Sequence, residues 1–326
     1  MRKGDARMKI LLLLVSGLVA VAAVDGTVVN ATTGKPQASV IVSLLQPGSQ
    51  GMQTLGSVKS DAEGKFTINK DVPPGPAILQ AIYQGATYNL VLAPGGPNSG
   101  LHLKIYDSTS KPGIAKVSQH MILIEPSLSA LEISETFLIE NETTSTFQDP
   151  VKGSIEFYLP DAANEKVNVT INSPGGMPIQ RPAEKTKDKN VYKIAYPVKP
   201  GESRFDVTYS LPPSETFSSE ILHAEGVTRL VTPSAVSLSG DGIDSLGQEP
   251  QTKANIYNAG GTKYTVNIVG IGSLRNPEAS ADDDSGENPQ LEEKAARVYS
   301  RMGAVLVLVF AILALGGVLL YRKRPA

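Results

Sequence analysis

The chain has 326 residues, enough for two ordinary domains, and its 30 Lys and Arg nearly balance its 32 Asp and Glu. No basic stripe with interleaved aromatic residues occurs, which argues against nucleic-acid binding. The 30 Gly and 23 Pro, against 7 Phe and no Trp, favour many short strands over long helices. Because cysteine is absent, an exported body must be held by its apolar core, which favours a bacterial envelope over a disulfide-rich ectodomain.

Residues 1–23 have the pattern of a secretory signal peptide. Four basic residues precede the apolar segment 10–21, and Ala22 and Ala23 supply the small residues of a cleavage site. The apolar run is shorter than the roughly 20 residues that a membrane crossing needs. We therefore expect cleavage after Ala22 or Ala23, with a permanent N-terminal anchor as the alternative.

Residues 24–107 show short apolar runs separated by turn signals. "GTVVN" leads into the turn "ATTGKP", "ASVIVSLL" is a β-branched run, "SDAEGKFTI" places a turn before a strand, and "VPPGPAILQAIYQGATY" continues the pattern. In "LHLKIYD", Leu101, Leu103 and Ile105 share one face of a strand, opposite His102. The Gly-rich "APGGPNSG" opens no helix, so we predict a hairpin loop there and not a phosphate-binding loop.

Four of these motifs, Gly-x-Val, Thr-Gly-x-Pro, Asp-x-x-Gly-x-Phe and Pro-Pro-Gly, resemble the carboxypeptidase regulatory-like domain in order and spacing. The resemblance covers residues 25–107 and implies a transthyretin-like β-sandwich of about seven strands. The chain departs from the family at Ala38-Ser39, where Gly-Ala is usual, and at Pro76-Ala77, where an aromatic residue is usual. Since the family has no catalytic residues, the resemblance implies an accessory fold and no peptidase activity.

A polar stretch, residues 108–118, is predicted to be a linker, and alternation returns across residues 119–273. Apolar residues two apart recur in several runs there, including 131–139, 155–159, 167–171, 192–196 and 205–209. Strands of this length and spacing predict a second, immunoglobulin-like sandwich, so the fold class is all-β. We expect Phe66 and Phe157 to be core rings of separate sandwiches. Whether residues 216–273 belong to the second sandwich or to a small third unit stays open.

The C-terminal part predicts a membrane anchor. Residues 274–300 are acidic and poor in large apolar residues at first, which is typical of a stalk, and Asn288-Pro289 is typical of a juxtamembrane helix start. Residues 302–321 carry no charge and span about 30 Å as a helix. The basic tail 322–326 that follows predicts a cytoplasmic C-terminus with everything before the span exported.

Tests for chemistry in the sequence find little. His102, His120 and His223 are the only histidines, and Glu125 lies at the wrong distance from His120 for a zinc peptidase. His223-Ala224-Glu225 offers two donors on one strand face but reads more simply as a surface histidine. No Gly-x-Ser-x-Gly elbow occurs, and "GDGIDSLG" and "ADDDSGE" read as solvated loops. We therefore predict no catalytic, cofactor-binding or metal site residues and no cofactor.

The sequence favours a non-enzymatic protein anchored in the cell membrane by a single pass, with its body periplasmic or extracellular. Its sandwiches would act as a protein-interaction or assembly module for a partner in the envelope. The alternative is glycan or peptidoglycan binding, for which Tyr83, Tyr88 and Tyr106 are the candidate aromatic residues, although core positions suit them as well. A hydrolase with an unrecognised site is the weaker alternative.

Overall fold

The computed structural model describes residues 23–48, 51–72 and 74–274. Within these ranges the chain is all-β, as predicted, and its single helical element is a 3-10 turn at Asp161–Ala163. No helix in this part of the chain is both long and apolar enough for a membrane crossing. The predicted membrane span 302–321 and nearly all of the predicted signal peptide and stalk lie outside the described residues.

The N-terminal sandwich consists of two sheets around one core. Its strands are β1 (Val24–Asn30), β2 (Lys35–Pro36), β3 (Ile41–Gly48), β4 (Gly51–Lys59), β5 (Lys65–Ile68), β6 (Ala77–Tyr83), β7 (Ala86–Leu92) and β8 (Leu101–Ile105). One sheet has the order β4-β3-β6-β7, and the other contains β2-β1-β5 with β8 paired in parallel to β1. The two sheets share a core that includes Phe66, Leu103 and Ile105, because alternate residues of each strand face inward.

The loop prediction for "APGGPNSG" was wrong. This stretch joins β7 to β8, and these strands lie in different sheets, so it crosses the sandwich and closes no hairpin. The reason is that β8 pairs with β1, the first strand of the N-terminal sandwich, and not with β7. A parallel partner of that kind leaves no local signal in the loop.

The C-terminal sandwich is larger. The connecting segment before it contains the short strand β9 (Ser108–Thr109). The strands of the larger sandwich are β10 (Lys116–Pro126), β11 (Leu131–Asn141), β12 (Thr146–Phe147), β13 (Ile155–Tyr158), β14 (Asn168–Asn172), β15 (Ile179–Gln180), β16 (Glu184–Lys185), β17 (Val191–Ile194), β18 (Gly201–Leu211), β19 (Thr216–Glu220), β20 (Val227–Thr232), β21 (Ser237–Ser239), β22 (Ile243–Gln248), β23 (Asn255–Ala259) and β24 (Lys263–Val269). An eight-stranded sheet in the order β15-β14-β18-β11-β10-β20-β23-β22 forms one layer. The three-stranded sheets β13-β17-β16 and β19-β24-β21 contribute to the same core from the other side.

The open question about residues 216–273 has a structural answer. β20 pairs in parallel with β10 in the middle of the eight-stranded sheet, and β23 and β22 extend that sheet. Phe217, Leu230 and Val266 belong to the same core cluster as Phe157. These last strands are therefore part of the larger sandwich and form no separate unit.

The predicted core rings are confirmed. Phe66 and Phe157 are buried, and they belong to two separate core clusters. Strand β11 shows the expected alternation, with Leu131, Ile133 and Phe137 turned inward.

Candidate functional site

The two sandwiches are joined by main-chain pairing at the start of the segment predicted as a linker. β9, which follows the N-terminal core, pairs in parallel with β12 of the larger sandwich. On its other side, the backbone N–H of Ser108 donates to Gln84 Oε1 over 2.6 Å. The last residues of the predicted linker already pair with β11 as the start of β10. Residues of both sandwiches therefore hold this stretch in place.

Tyr88 connects the two cores. Its side chain is 3 % exposed, and its hydroxyl lies 2.9 Å from the carbonyl oxygen of Tyr106 and 2.8 Å from Thr146 Oγ1. Burial raises the pKa of Tyr88, which favours the protonated hydroxyl. A phenol has one proton, and the Tyr106 carbonyl can only accept it, so Thr146 donates to Tyr88. The hydrogen bond between the two sandwiches therefore runs from the Thr146 hydroxyl to the Tyr88 oxygen.

Lys199 extends from the larger sandwich against the same ring. It follows Val198, which forms an isolated bridge with Phe147 of β12, so the joint fixes its backbone. Its side chain is 6 % exposed, and its Nζ lies 5.6 Å from the ring centroid of Tyr88. In the described part of the chain it has no carboxylate or hydrogen-bond partner, and burial lowers its pKa. A largely buried lysine whose ammonium lies near an aromatic ring is therefore present at the joint.

A cleft of about 220 Å³ opens beside this ammonium, and both sandwiches line it. The polar side chains in its wall are Gln80, Thr87, Asn89, Arg181, Tyr196 and Lys199. Two of these side chains are cations, and neither aspartate nor glutamate is among the lining residues. We call this place the Lys199 cleft.

The polar groups of the Lys199 cleft are arranged by their own contacts. Arg181 is exposed, and its guanidinium carbon lies 6.0 Å from the ring centroid of Tyr196. In the part of the chain that the structure describes, Arg181 makes no ion pair. Gln80 donates through Nε2 to Asn89 Oδ1 over 3.2 Å, which aligns the two amides on neighbouring strands. The cleft therefore combines an apolar part, with Met177, Ile179 and Pro197, with donors and positive charge, the chemistry that recognises an anion.

Sequence reasoning singled out Tyr88 as a core or face residue but missed Lys199. Tyr88 is buried, so its ring is not available as a platform for a sugar. Lys199 stands in the turn signal "VKPGES", where lysine is usually solvated. Its burial results from Tyr88 and the joint, which are distant in sequence, so no local pattern signals it.

A second polar cluster lies inside the larger core. His120 Nε2 is 2.8 Å from Glu135 Oε2, and the Tyr209 hydroxyl donates to Glu135 Oε1 over 2.7 Å. The His120 ring stacks on Phe137 with 4.0 Å between centroids. Burial, followed by the nearby Glu135 charge, raises the pKa of Tyr209 well above its usual range. His120, Glu135 and Tyr209 are 4, 2 and 4 % exposed, so this network is sealed from any substrate.

The other histidines are structural or exposed. His223 is half-buried, and its Nε2 lies 2.6 Å from the carbonyl oxygen of Glu156, while Glu225 is 3.5 Å from its Nδ1. His102 is exposed on β8. Across the described ranges, no three His, Asp or Glu side chains come together in a way that could hold a metal ion. The predicted absence of a metal site stays a prediction for the whole chain.

Comparison with known proteins identifies no relatives at the level of sequence. No family model matches the chain, and no curated protein matches it. Among solved structures it is similar to an M1 zinc metallopeptidase from Deinococcus radiodurans. A mutant of that enzyme bound to a Tyr-Ser-Ala substrate is 14 % identical, with 48 % of this chain and 43 % of the peptidase covered and a TM-score of 0.26.

A second structure of the same peptidase is 12 % identical, with 47 % of this chain and 42 % of the peptidase covered and a TM-score of 0.24. The chain thus spans less than half the length of these peptidases. A similarity of this strength carries no argument about fold or activity.

The joint predicts the effect of removing the Tyr88 hydroxyl. Tyr88→Phe leaves Thr146 Oγ1 and the Tyr106 carbonyl without this buried partner, so we expect a loss of about 1–2 kcal/mol in the free energy of unfolding. We also expect one cooperative calorimetric transition of the wild type to split in two as the sandwiches uncouple. Tyr106→Phe is the matched control, and a loss as large as that of Tyr88→Phe would contradict the assigned bridge.

The buried ammonium predicts an unusual gain. Lys199→Met keeps the unbranched side chain and removes a largely shielded charge that has no counter-ion among the described residues. We expect the free energy of unfolding to rise by about 1 kcal/mol in denaturant titrations, because relief of desolvation outweighs the lost contact with Tyr88. Lys166→Met, at an exposed lysine, should change it by less than about 0.5 kcal/mol. A clear loss of stability in Lys199→Met would mean that the ammonium has a favourable partner.

Proposed function

We propose that the chain is a non-enzymatic, membrane-anchored protein of a bacterial cell envelope whose exported sandwiches bind a partner protein as one platform. The observation that supports this most is the Lys199 cleft, since both sandwiches build its wall. A largely buried cation that has no ion-pair partner among the described residues costs stability, and such a cost is common where a ligand or partner completes the site.

The proposal includes the finer fold assignment. Residues 24–107 are a transthyretin-like sandwich of the carboxypeptidase regulatory-like kind, and residues 119–273 are an immunoglobulin-like sandwich. The first assignment is supported by the four motifs and by the two sheets around one core. The second is supported by the alternating strands and by the shared core of the larger sandwich.

The proposed topology depends on the two ends of the sequence. Residues 1–23 are removed as a signal peptide, residues 302–321 cross the membrane once, and the basic tail 322–326 stays in the cytoplasm. Support comes from the uncharged length of the span and from the positive charges on one side of it. The stalk 274–300 would separate the body from the bilayer.

Glycan binding is the second candidate function. Gln80, Thr87 and Asn89 line the cleft, and amide and hydroxyl groups are suited to the hydroxyls of a sugar. Protein binding is favoured because Tyr88 is buried and cannot stack on a sugar ring, and because Arg181 already lies 6.0 Å from the ring centroid of Tyr196, the half-buried tyrosine of the cleft wall. The sealed His120 cluster gives no support to a hydrolase.

Site-specific photo-crosslinking in the native host tests the partner. A crosslinking amino acid at Thr87, in the wall of the cleft, should give a discrete protein adduct on the full-length chain, while the same residue at exposed Thr67 on β5 should not. Protease added to spheroplasts is the control for topology, and it should degrade the body. Equal adducts at both positions, or a protected body, would contradict the proposal.

A further inference from the structure

The Lys199 cleft concentrates positive charge without any internal neutralisation. Lys199 and Arg181 both line it, the first buried and the second exposed, and neither forms an ion pair with the described residues. We propose that this cleft binds a carboxylate group, with the Lys199 ammonium and the Arg181 guanidinium as its cationic contacts. This inference deepens the proposed function, because it names the chemical group by which the partner or ligand is recognised.

The Lys199 side chain is largely shielded from water, at 6 % exposure. A counter-charge and hydrogen-bond acceptors stabilise an ionised amine in such a place, and Lys199 has three donors. The interaction that the structure gives its ammonium is with the ring face of Tyr88 at 5.6 Å, which attracts a cation but accepts no conventional hydrogen bond. An anion in the cleft would supply both a counter-charge and acceptors, which the described residues do not.

The cationic groups of the cleft suit a carboxylate better than a phosphate. The planar fork of a guanidinium matches the two oxygens of a carboxylate, and an ammonium adds a third charge-assisted bond. Thr87 and Asn89, on the N-terminal sandwich, line the cleft and offer neutral donors. Phosphate carries more charge and is usually held by several arginines, a helix N-terminus or a nest of backbone N–H groups. The described lining contains one arginine, one lysine and no helix.

The carboxylate has two chemical sources, a small organic acid or a peptide. A peptide would present its C-terminus or an acidic side chain to the exposed Arg181 and the buried Lys199. About 220 Å³ accommodates a carboxylate with only a few attached atoms, so the rest of a peptide would lie outside, against the rim.

Thermal unfolding of the full-length protein in non-ionic detergent tests the proposal. We compare sodium propionate at about 0.1 M with sodium chloride at equal ionic strength, in the wild type and in Lys199→Met. If Kd is about 10 mM, replacing chloride by propionate should raise the Tm of the wild type by about 3 °C more than it raises the Tm of Lys199→Met. The comparison with the variant is needed because some salts stabilise any protein by exclusion from its surface.

Matched variants locate the effect. Arg181→Gln, at an exposed position, should retain the fold and at least halve the propionate-dependent shift. Lys166→Met, at an exposed lysine outside the cleft, should retain the full shift. N-acetyl-Ala-Ala with a free carboxylate and the same dipeptide as its amide distinguish the sources. A shift with the free acid that exceeds that of propionate indicates a peptide ligand, and an equal shift indicates a small acid.

Three results would overturn the proposal: the same shift in Lys199→Met as in the wild type, no shift beyond that of chloride, or a larger Lys199-dependent shift with phosphate than with propionate. The test is separate from that of the proposed function. A crosslinked partner at Thr87 that is unaffected by Lys199→Met would retain the function and remove the carboxylate site. Propionate binding without any crosslinked partner would retain the carboxylate site and remove the proposed function.

Discussion

The hydrogen bonds of Tyr88 determine how the two sandwiches meet. Its hydroxyl accepts from Thr146 on one side of the joint and donates to the Tyr106 carbonyl on the other. Because these groups are buried, removing one of them from the closed joint would leave its partner without a hydrogen bond, which costs more than the loss of an exposed contact. The ladder between β9 and β12 follows the same boundary and limits the relative freedom of the sandwiches.

This constraint explains the position of Lys199. Val198 is bridged to Phe147, so the residue that follows must extend towards the N-terminal sandwich, where it meets the face of the Tyr88 ring. The same geometry that stabilises the joint therefore shields most of the Lys199 side chain from water. The burial of Lys199 costs stability, whereas the hydrogen bonds of Tyr88 stabilise the joint around it.

The sequence predicts which face of a strand is buried, but it does not predict which distant segments pair. Alternation with a period of two places Phe137 and Phe157 inward, because a buried strand face requires it. Glu135 occupies one of the inward positions of β11, where an apolar residue is expected. This exception to the pattern is the signal by which its buried contact with His120 could have been predicted. The parallel pairing of β10 with β20 joins segments that share no local signal. Lys199 was missed for the same reason, because its burial depends on a distant ring.

Lys199 is largely shielded from water and has no counter-charge among the described residues. A pH titration of the lysine side chains by NMR, on the full-length protein with Lys199→Met for assignment, measures its pKa directly. The account predicts a pKa below the ordinary 10.5, because burial disfavours the charged form. The folded state would then bind fewer protons than the unfolded state, so stability should rise with pH between the lowered pKa and 10.5. A pKa at or above 10.5 would show that the ammonium is solvated or paired and would contradict the account.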